Sequence, residues 1–306
     1  MALPVCCLAL CLPACLGIFG INKNDPSYQL RYAAERGDLD GAKAALQHGA
    51  QVNGGAPEPG DYGYKETTPL AAACLNKDVP MIELLLAHGA DVNARSGALA
   101  GVLPLENAIT SSGQEQNAFA TEDLLRRGAQ HRLEVVQLLL SKGADPKRHS
   151  RIGSTPLAIA ANDGTPEIVS LLLDKGALPN GKGQLDQPLA EAARRPREAA
   201  AHVAEILIEH GAKLENPVPP NMDTPLGVAV SYGNTPVVQV LLNHQASVKA
   251  VNRFGSTPLH LAADGKRLPI IKLLLEKGAD RDAKDKKGRK PADRTTSTAV
   301  KEALGK

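Results

Sequence analysis

The sequence predicts an all-α fold, a solenoid of stacked helix–turn–helix units, and three observations carry that prediction. A Thr-Pro-Leu phrase recurs along the chain. A second, leucine-rich element follows each copy. Aromatic residues make up only 3% of the 306 residues and there is no Trp. Such a chain has to pack on Ala, Leu and Val, in many similar helical layers rather than around a few large rings.

The first element reads Thr68-Pro69-Leu70, Thr155-Pro156-Leu157, Thr224-Pro225-Leu226 and Thr257-Pro258-Leu259, with weaker copies at Leu103-Pro104-Leu105 and Gln187-Pro188-Leu189. The prolines at 156, 188, 225, 258 and 291 are separated by 32, 37, 33 and 33 residues. Thr caps a helix with its hydroxyl, and Pro suits the first helical position because its missing N–H has no partner there. Leu starts the buried stripe. Three residues later stands Ala33, Ala73, Ala108, Ala160, Ala192, Ala229 or Ala262. An unvarying Ala one turn along predicts close approach of neighbouring helices.

The second element is Leu84-Leu85-Leu86, Leu138-Leu139-Leu140, Leu171-Leu172-Leu173, Ile206-Leu207-Ile208, Val240-Leu241-Leu242 and Leu273-Leu274-Leu275. It often has Pro in its first turn, at Pro80, Pro166, Pro236 and Pro269. A glycine that can take the left-handed conformation closes most copies, as at Gly89, Gly143 and Gly278.

These residues resemble the ankyrin repeat family. The full family phrase Thr-Pro-Leu-His stands once, at Thr257 to His260, followed by Leu261-Ala262-Ala263. The resemblance covers about residues 27–304 and divides an ankyrin domain over 22–304 into about seven repeats plus a C-terminal cap. Repeats begin near 28, 67, 102, 154, 186, 223 and 256, and the cap starts at Lys290-Pro291-Ala292-Asp293 and runs to about Leu304. The polar cap suits a terminal layer, which a stacked array needs for solubility. Arg31 and Arg36 mark the first repeat as a cap for the other end. The resemblance implies an elongated ankyrin-repeat solenoid whose β-hairpin-like loops and first helices line a concave, partner-binding face.

Departures from the period single out three places. The loop after repeat one is about seven residues longer than the rule and carries Tyr62 and Tyr64. Tyrosines on a loop held by a rigid scaffold are a common recognition device, although both rings can also fold back onto repeat two. Repeat three carries about 19 extra residues near 111–130. Within that insertion Phe119 to Arg127 predicts an extra amphipathic helix ending at Gly128, either the remnant of a partly deleted repeat or a dedicated partner site. Repeat five has three extra residues around Arg194-Arg195-Pro196-Arg197, a solvated turn or part of a site for an acidic partner. The basic run Lys284 to Lys290 is close to the ordinary ankyrin loop.

The formal net charge is +2, from 35 basic and 33 acidic residues. That balance gives no reason to expect nucleic acid as the main partner. Cys6, Cys7, Cys11 and Cys15 lie in the first 15 residues and only Cys74 lies beyond, so no internal disulfide framework is available to the body. Residues 1–21 hold no charged side chain. They read as a signal sequence, a membrane anchor or a buried segment, and the prolines and glycines favour an export signal over a spanning helix. Leu12-Pro13-Ala14-Cys15 resembles the bacterial lipoprotein box, which would make Cys15 the lipidated residue. Pro13 and the lack of a preceding Lys or Arg depart from that pattern.

No catalytic motif emerges. His48, His88, His210 and His244 share one repeat position, the end of a second helix, so each lies one layer from the next. Layers about 8–10 Å apart cannot share one ion whose ligands lie about 2 Å away, so no metal site is read from the row. Cys74 reads as packing. No cofactor and no catalytic residue is assigned.

The function read from the chain is a non-catalytic scaffold for a protein partner of unknown identity, a monomer that is exported, periplasmic or membrane-anchored. A cytoplasmic adaptor or host-directed effector is the alternative, and an enzyme with its site in the repeat-three insertion is a third reading. Candidate partner contacts are Tyr62, Tyr64, Arg194, Arg195, Tyr232, Arg253 and Phe254, with a large exposed ring expected at Phe254.

Overall fold

The computed structural model describes residues 24–54, 67–96, 101–111, 122–150, 153–163, 165–181, 186–196 and 199–305. It divides into two compact units, Met1–Ala108 with Lys142–Ala144, and Ile109–Ser141 with Asp145–Lys306. The described residues are helical apart from turns and two isolated β-bridges.

The first unit contains α1 (Pro26–Arg36), α2 (Leu39–Gln47), α3 (Pro69–Asn76) and α4 (Val79–Ala87). α1 packs on α2 and α3, and α4 on α2 and α3, giving two stacked helical hairpins. α5 (Pro104–Ile109) and α6 (Glu122–Ser141) follow.

In the second unit the hairpins are α7 (Pro156–Asp163) with α8 (Pro166–Asp174), α9 (Pro188–Arg194) with α10 (Ala200–Glu209), α11 (Pro225–Tyr232) with α12 (Thr235–Asn243), and α13 (Pro258–Asp264) with α14 (Leu268–Glu276). The cap is a single 3-10 turn, Pro291–Arg294, followed by α15 (Thr298–Ala303). First helices contact first helices, from α7 through α9, α11 and α13 to the 3-10 turn. Second helices stack likewise from α6 to α15.

The caps follow the sequence. The hydroxyls of Thr68, Thr155 and Thr224 accept the N–H groups of Ala71, Ala158 and Gly227 at 3.2, 3.2 and 3.3 Å. Three second helices, α2, α4 and α12, carry side-chain caps outside the Thr-Pro-Leu phrase. The side chains of Asp38, Asp78 and Asn234 accept from Gly41, Met81 and Val237. Each such cap is worth about 1 kcal/mol. The repeat alanines from Ala33 to Ala262 are all buried, at 4% exposure or less, as close helix approach requires. The closing glycines are left-handed, with φ of 85° at Gly89 and 90° at Gly143. Gln245 takes the same position with φ of 67°, a conformation that costs a residue with a Cβ about 1–2 kcal/mol.

One expected element is corrected. The repeat-three insertion does not end a helix at Gly128. α6 runs without interruption through 20 residues from Glu122 to Ser141, joining the insertion to the second helix of repeat three. A glycine inside a helix costs only about 1 kcal/mol. The buried stripe of Val135, Val136 and Leu139 anchors the helix and carries it past that cost.

Candidate protein-interaction surface

The layers are joined by side chains that reach from one repeat to the next. Asn234, fully buried, donates from its amide to the carbonyls of Ala192, Ala193 and Arg195 at 3.4, 3.3 and 3.2 Å. It thereby satisfies the open C-terminal end of α9 while its oxygen caps α12. In the first unit Asn76 does the equivalent for α1, donating to Ala34 and Glu35.

A second ladder runs along the loops that leave the second helices. Asn180 donates to the carbonyl of Gly211 at 3.1 Å and accepts from the N–H of Lys213 at 2.7 Å. Asn53 bridges Gly89 and Asp91 in the same way, and Asn93 donates to Gly143. Glu215 stands at the same position and accepts from Ser247 N–H at 2.8 Å. These residues were missed in the sequence, although each lies four places after a closing glycine, at Gly49, Gly89, Gly176 and Gly211.

His260 is fully buried. Its Nδ1 faces the Thr257 hydroxyl at 2.8 Å and backbone N–H at 3.2 Å, and its Nε2 lies 2.9 Å from the carbonyl of Arg289. Since a carbonyl only accepts, Nε2 carries the proton and Nδ1 accepts. The family-phrase histidine is therefore a structural link. His48, His88 and His210 sit at helix C-termini, where each Nδ1 meets the carbonyl four residues back at 2.7–2.8 Å. Burial pushes the Cys74 thiol well above its ordinary pKa despite the nearby Lys77 charge, so the group is an un-ionised packing element. Among the described residues, no three His, Cys, Asp or Glu side chains gather into a metal-holding group. Among them, too, no helix is long and apolar enough to cross a membrane.

The cap repeat is held by charge. Asp285 is buried, accepts two bonds from the Arg289 guanidinium at 3.0 and 2.8 Å, and accepts a third from Arg294 at 3.0 Å. Burial alone would raise its pKa, but bonds from the side chain and backbone of Arg289 and from the Lys287 N–H hold the carboxyl well below the usual range. Arg294 also pairs with Asp264 and donates to Ser256 Oγ at 3.0 Å.

Against this frame the candidate contacts fall into distinct places. Tyr62, Tyr64 and Cys15 lie outside the described residues. Arg194 is half-buried and paired within α9 to Glu191 at 3.1 Å. Burial raises the Glu191 pKa in spite of that partner. Arg195 is exposed just past the same helix, its carbonyl taken by Asn234. Tyr232 ends α11 with half of its surface, 50%, open to solvent. Arg253 and Phe254 are brought together: the guanidinium stacks over the ring, 4.5 Å from its centroid, and the ring is 48% exposed. Among the described residues of the first unit, Tyr32 and Leu75, on α1 and α3, are large apolar side chains left exposed. Arg36 stacks on Tyr32 and donates to its hydroxyl at 3.0 Å. A small cleft between the start of α11, the loop before α13 and α13 itself is lined by Asp223, Gly227, Val251, Asn252 and Leu261.

Stacked helical hairpins with Thr-Pro-Leu starts, glycine closures and loop ladders define a repeat scaffold, and the chain belongs to the ankyrin repeat family. The family model of ankyrin repeats, in three copies, matches residues 8–115, 125–218 and 189–285. Among curated proteins, the chain is 30% identical over 161 residues to the B-cell lymphoma 3 protein homolog of Mus musculus, covering 50% of this chain and 34% of that protein. It is 31% identical over 156 residues to the ankyrin repeat and KH domain-containing protein mask-1 of Caenorhabditis elegans, over 51% of this chain and 5% of that one. It is 27% identical over 252 residues to the mitochondrial disaggregase of Bos taurus, over 78% and 36% of the two chains. The chain thus spans little more than a third, at most, of the length of these three relatives. Of solved structures, the ankyrin repeat domain of Bcl-3, a member of the IkappaB protein family, is similar with a TM-score of 0.59 and 25% identity, over 81% of this chain and 99% of that one. The human ASB11 ankyrin repeat domain gives 0.52 and 26%, over 90% and 95%. The fold is that of a protein-interaction scaffold, typically without catalysis of its own.

Proposed function

We propose that the chain holds a protein partner against the first-helix ends and loop tips of its repeats, and that in the second unit Tyr232, Arg253 and Phe254 are the principal contacts. The observation that carries this reading is the half-exposure of two large rings, Tyr232 and Phe254, on a backbone tied layer to layer by buried hydrogen bonds. Rigid aromatic side chains give contact area at low entropic cost, and a preorganised scaffold lowers the cost of association. Arg195 is the exposed basic neighbour, whereas Arg194 is committed to Glu191. The test is quantitative partner recovery on the full chain and on a Tyr232→Ala/Phe254→Ala variant of unchanged circular dichroism. Loss of the same partners from the variant supports the surface, and equal recovery overturns it.

The charge-free residues 1–21 support delivery of this scaffold by export, with Cys15 as a lipid carrier. The mass of the mature N-terminus tests this, and an intact unmodified Met1 overturns it.

A further inference from the structure

We infer that the loop tips before α13 and before the cap form a docking surface for an acidic protein segment that also carries apolar side chains. This rests on the scaffold reading above and names the partner chemistry.

Three successive loops are joined edge to edge by their backbones. The N–H of Arg253 donates to the carbonyl of Asn221 at 2.9 Å, and the N–H of Lys286 donates to the carbonyl of Phe254 at 3.0 Å. Both links have the same register, because 221, 254 and 287 are spaced by 33, as are 253 and 286. Lys286 therefore lies against Phe254 and Gly255 of the preceding tip, and Arg253, Phe254 and Val251 occupy the repeat positions that Lys286, Lys287 and Lys284 hold on the next one.

The carboxylates of these loops are engaged within the protein, Asp280 only by the N–H of Asp282. Asp223 is buried and accepts from the Asn252 amide at 2.8 Å. Asp285 is buried and held by Arg289 and Arg294. Glu215 accepts from Ser247 N–H and Asp282 from Lys290. Lys249, Arg253, Lys284, Lys286 and Lys287 are exposed, and none of the five is in an ion pair among the described residues. Loops 247–257 and 279–290 together hold eight basic and three acidic residues, a formal net charge of +5 against +2 for the whole chain. Such a local excess attracts and orients an acidic partner.

Charge alone would fit any polyanion. The apolar component decides between them. Val251 is 58% exposed, and Phe254 is half-exposed with the Arg253 cation lying on its ring. Ring and cation are thus offered as one unit, able to take an apolar side chain and a carboxylate from the same short segment. A phosphate backbone would engage the lysines and leave Val251 unused.

The experiment uses the full chain and three fluorescent probes: a short Asp/Glu-rich peptide carrying two Leu and one Phe, the same peptide with those three replaced by Ser, and oligodeoxythymidylate. The apolar acidic peptide is expected to bind tightest and to weaken as salt rises. Arg253→Ala with Lys286→Ala is expected to lower its affinity about tenfold or more, and Phe254→Ala about fivefold. Equal binding of the Ser peptide, tighter binding of oligodeoxythymidylate, or no response to the double variant overturns the inference. If the peptide does not bind while the Tyr232→Ala/Phe254→Ala variant still loses its partners, the scaffold reading stands and the acidic partner is excluded.

Discussion

The imidazole of His260 and the carbonyl of Arg289, 2.9 Å apart across a repeat boundary, tie the start of α13 to the loop of the next layer. The same ring caps its own helix through Thr257. Replacing it with Ala removes a buried donor and a buried acceptor at once and leaves the Arg289 carbonyl without that donor. An unsatisfied buried group costs about 1–3 kcal/mol. His260→Ala should therefore destabilise the C-terminal repeats by about 2–3 kcal/mol, read as a lower urea midpoint. Because stacked repeats feel mainly their neighbours, faster amide exchange should be confined to the layers around α13 and the cap. Uniform exchange along the whole chain would contradict the link.

Asn234 permits a separation of two roles. Its oxygen caps α12, and its amide donates to three carbonyls at the end of α9. Asn234→Ser keeps an oxygen able to cap and loses the inter-repeat bonds. Asn234→Ala loses both. The Ala variant should be less stable than the Ser variant by about 1 kcal/mol, the usual worth of a cap. Both should fall below the parent by about 1–3 kcal/mol from the carbonyls left without a donor. Equal stability of parent and Ser variant in urea would show that the amide bonds contribute nothing.

Most of the fold was legible because its determinants are local. Thr68, Thr224 and Thr257 each sit three residues before the N–H they cap, so sequence spacing alone specifies the contact. The links between layers were not legible in the same way. Asn234 reaches 39 to 42 residues back, and Arg294 reaches 30 residues to Asp264. Nothing in either residue's immediate neighbourhood advertises that distance. The loop ladder of Asn53, Asn93 and Asn180 was readable in principle from its fixed offset to the closing glycine. The candidate surface was legible where exposure follows from repeat position, as at Tyr232 and Phe254. It was not where pairing intervenes: Arg194 reads like Arg195, and only the fold commits it to Glu191.

The cap should carry a defined pH dependence. Asp285 has a folded-state pKa below that of an unfolded aspartate, because its bonds to Arg289 and Lys287 outweigh its burial. A depressed carboxyl contributes stability that is fully present above the unfolded value, about 3.9, and is lost as pH falls through the folded one. The thermal midpoint of the parent should therefore exceed that of Asp285→Asn by a constant margin at neutral and mildly acidic pH. The margin should shrink only below about pH 4. A margin independent of pH down to strongly acidic conditions would mean that the Asp285 charge is not what holds the loop.

The sign of one substitution decides how the repeat-three insertion is built. Gly128 lies inside α6, and its backbone is not among the left-handed positions. Ala in a helix interior is favoured over Gly by about 0.8–1.0 kcal/mol. Gly128→Ala should therefore raise the stability of the second unit and its helical ellipticity. Were residues 119–127 a separate helix closed by Gly128, that glycine would have to be left-handed. Ala would then be disfavoured there by about 1 kcal/mol or more. A destabilised Gly128→Ala variant would thus return the insertion to a helix-and-turn, whereas a stabilised one fixes it as an extension of the repeat-three second helix, rigidly coupled to α8 through the stack.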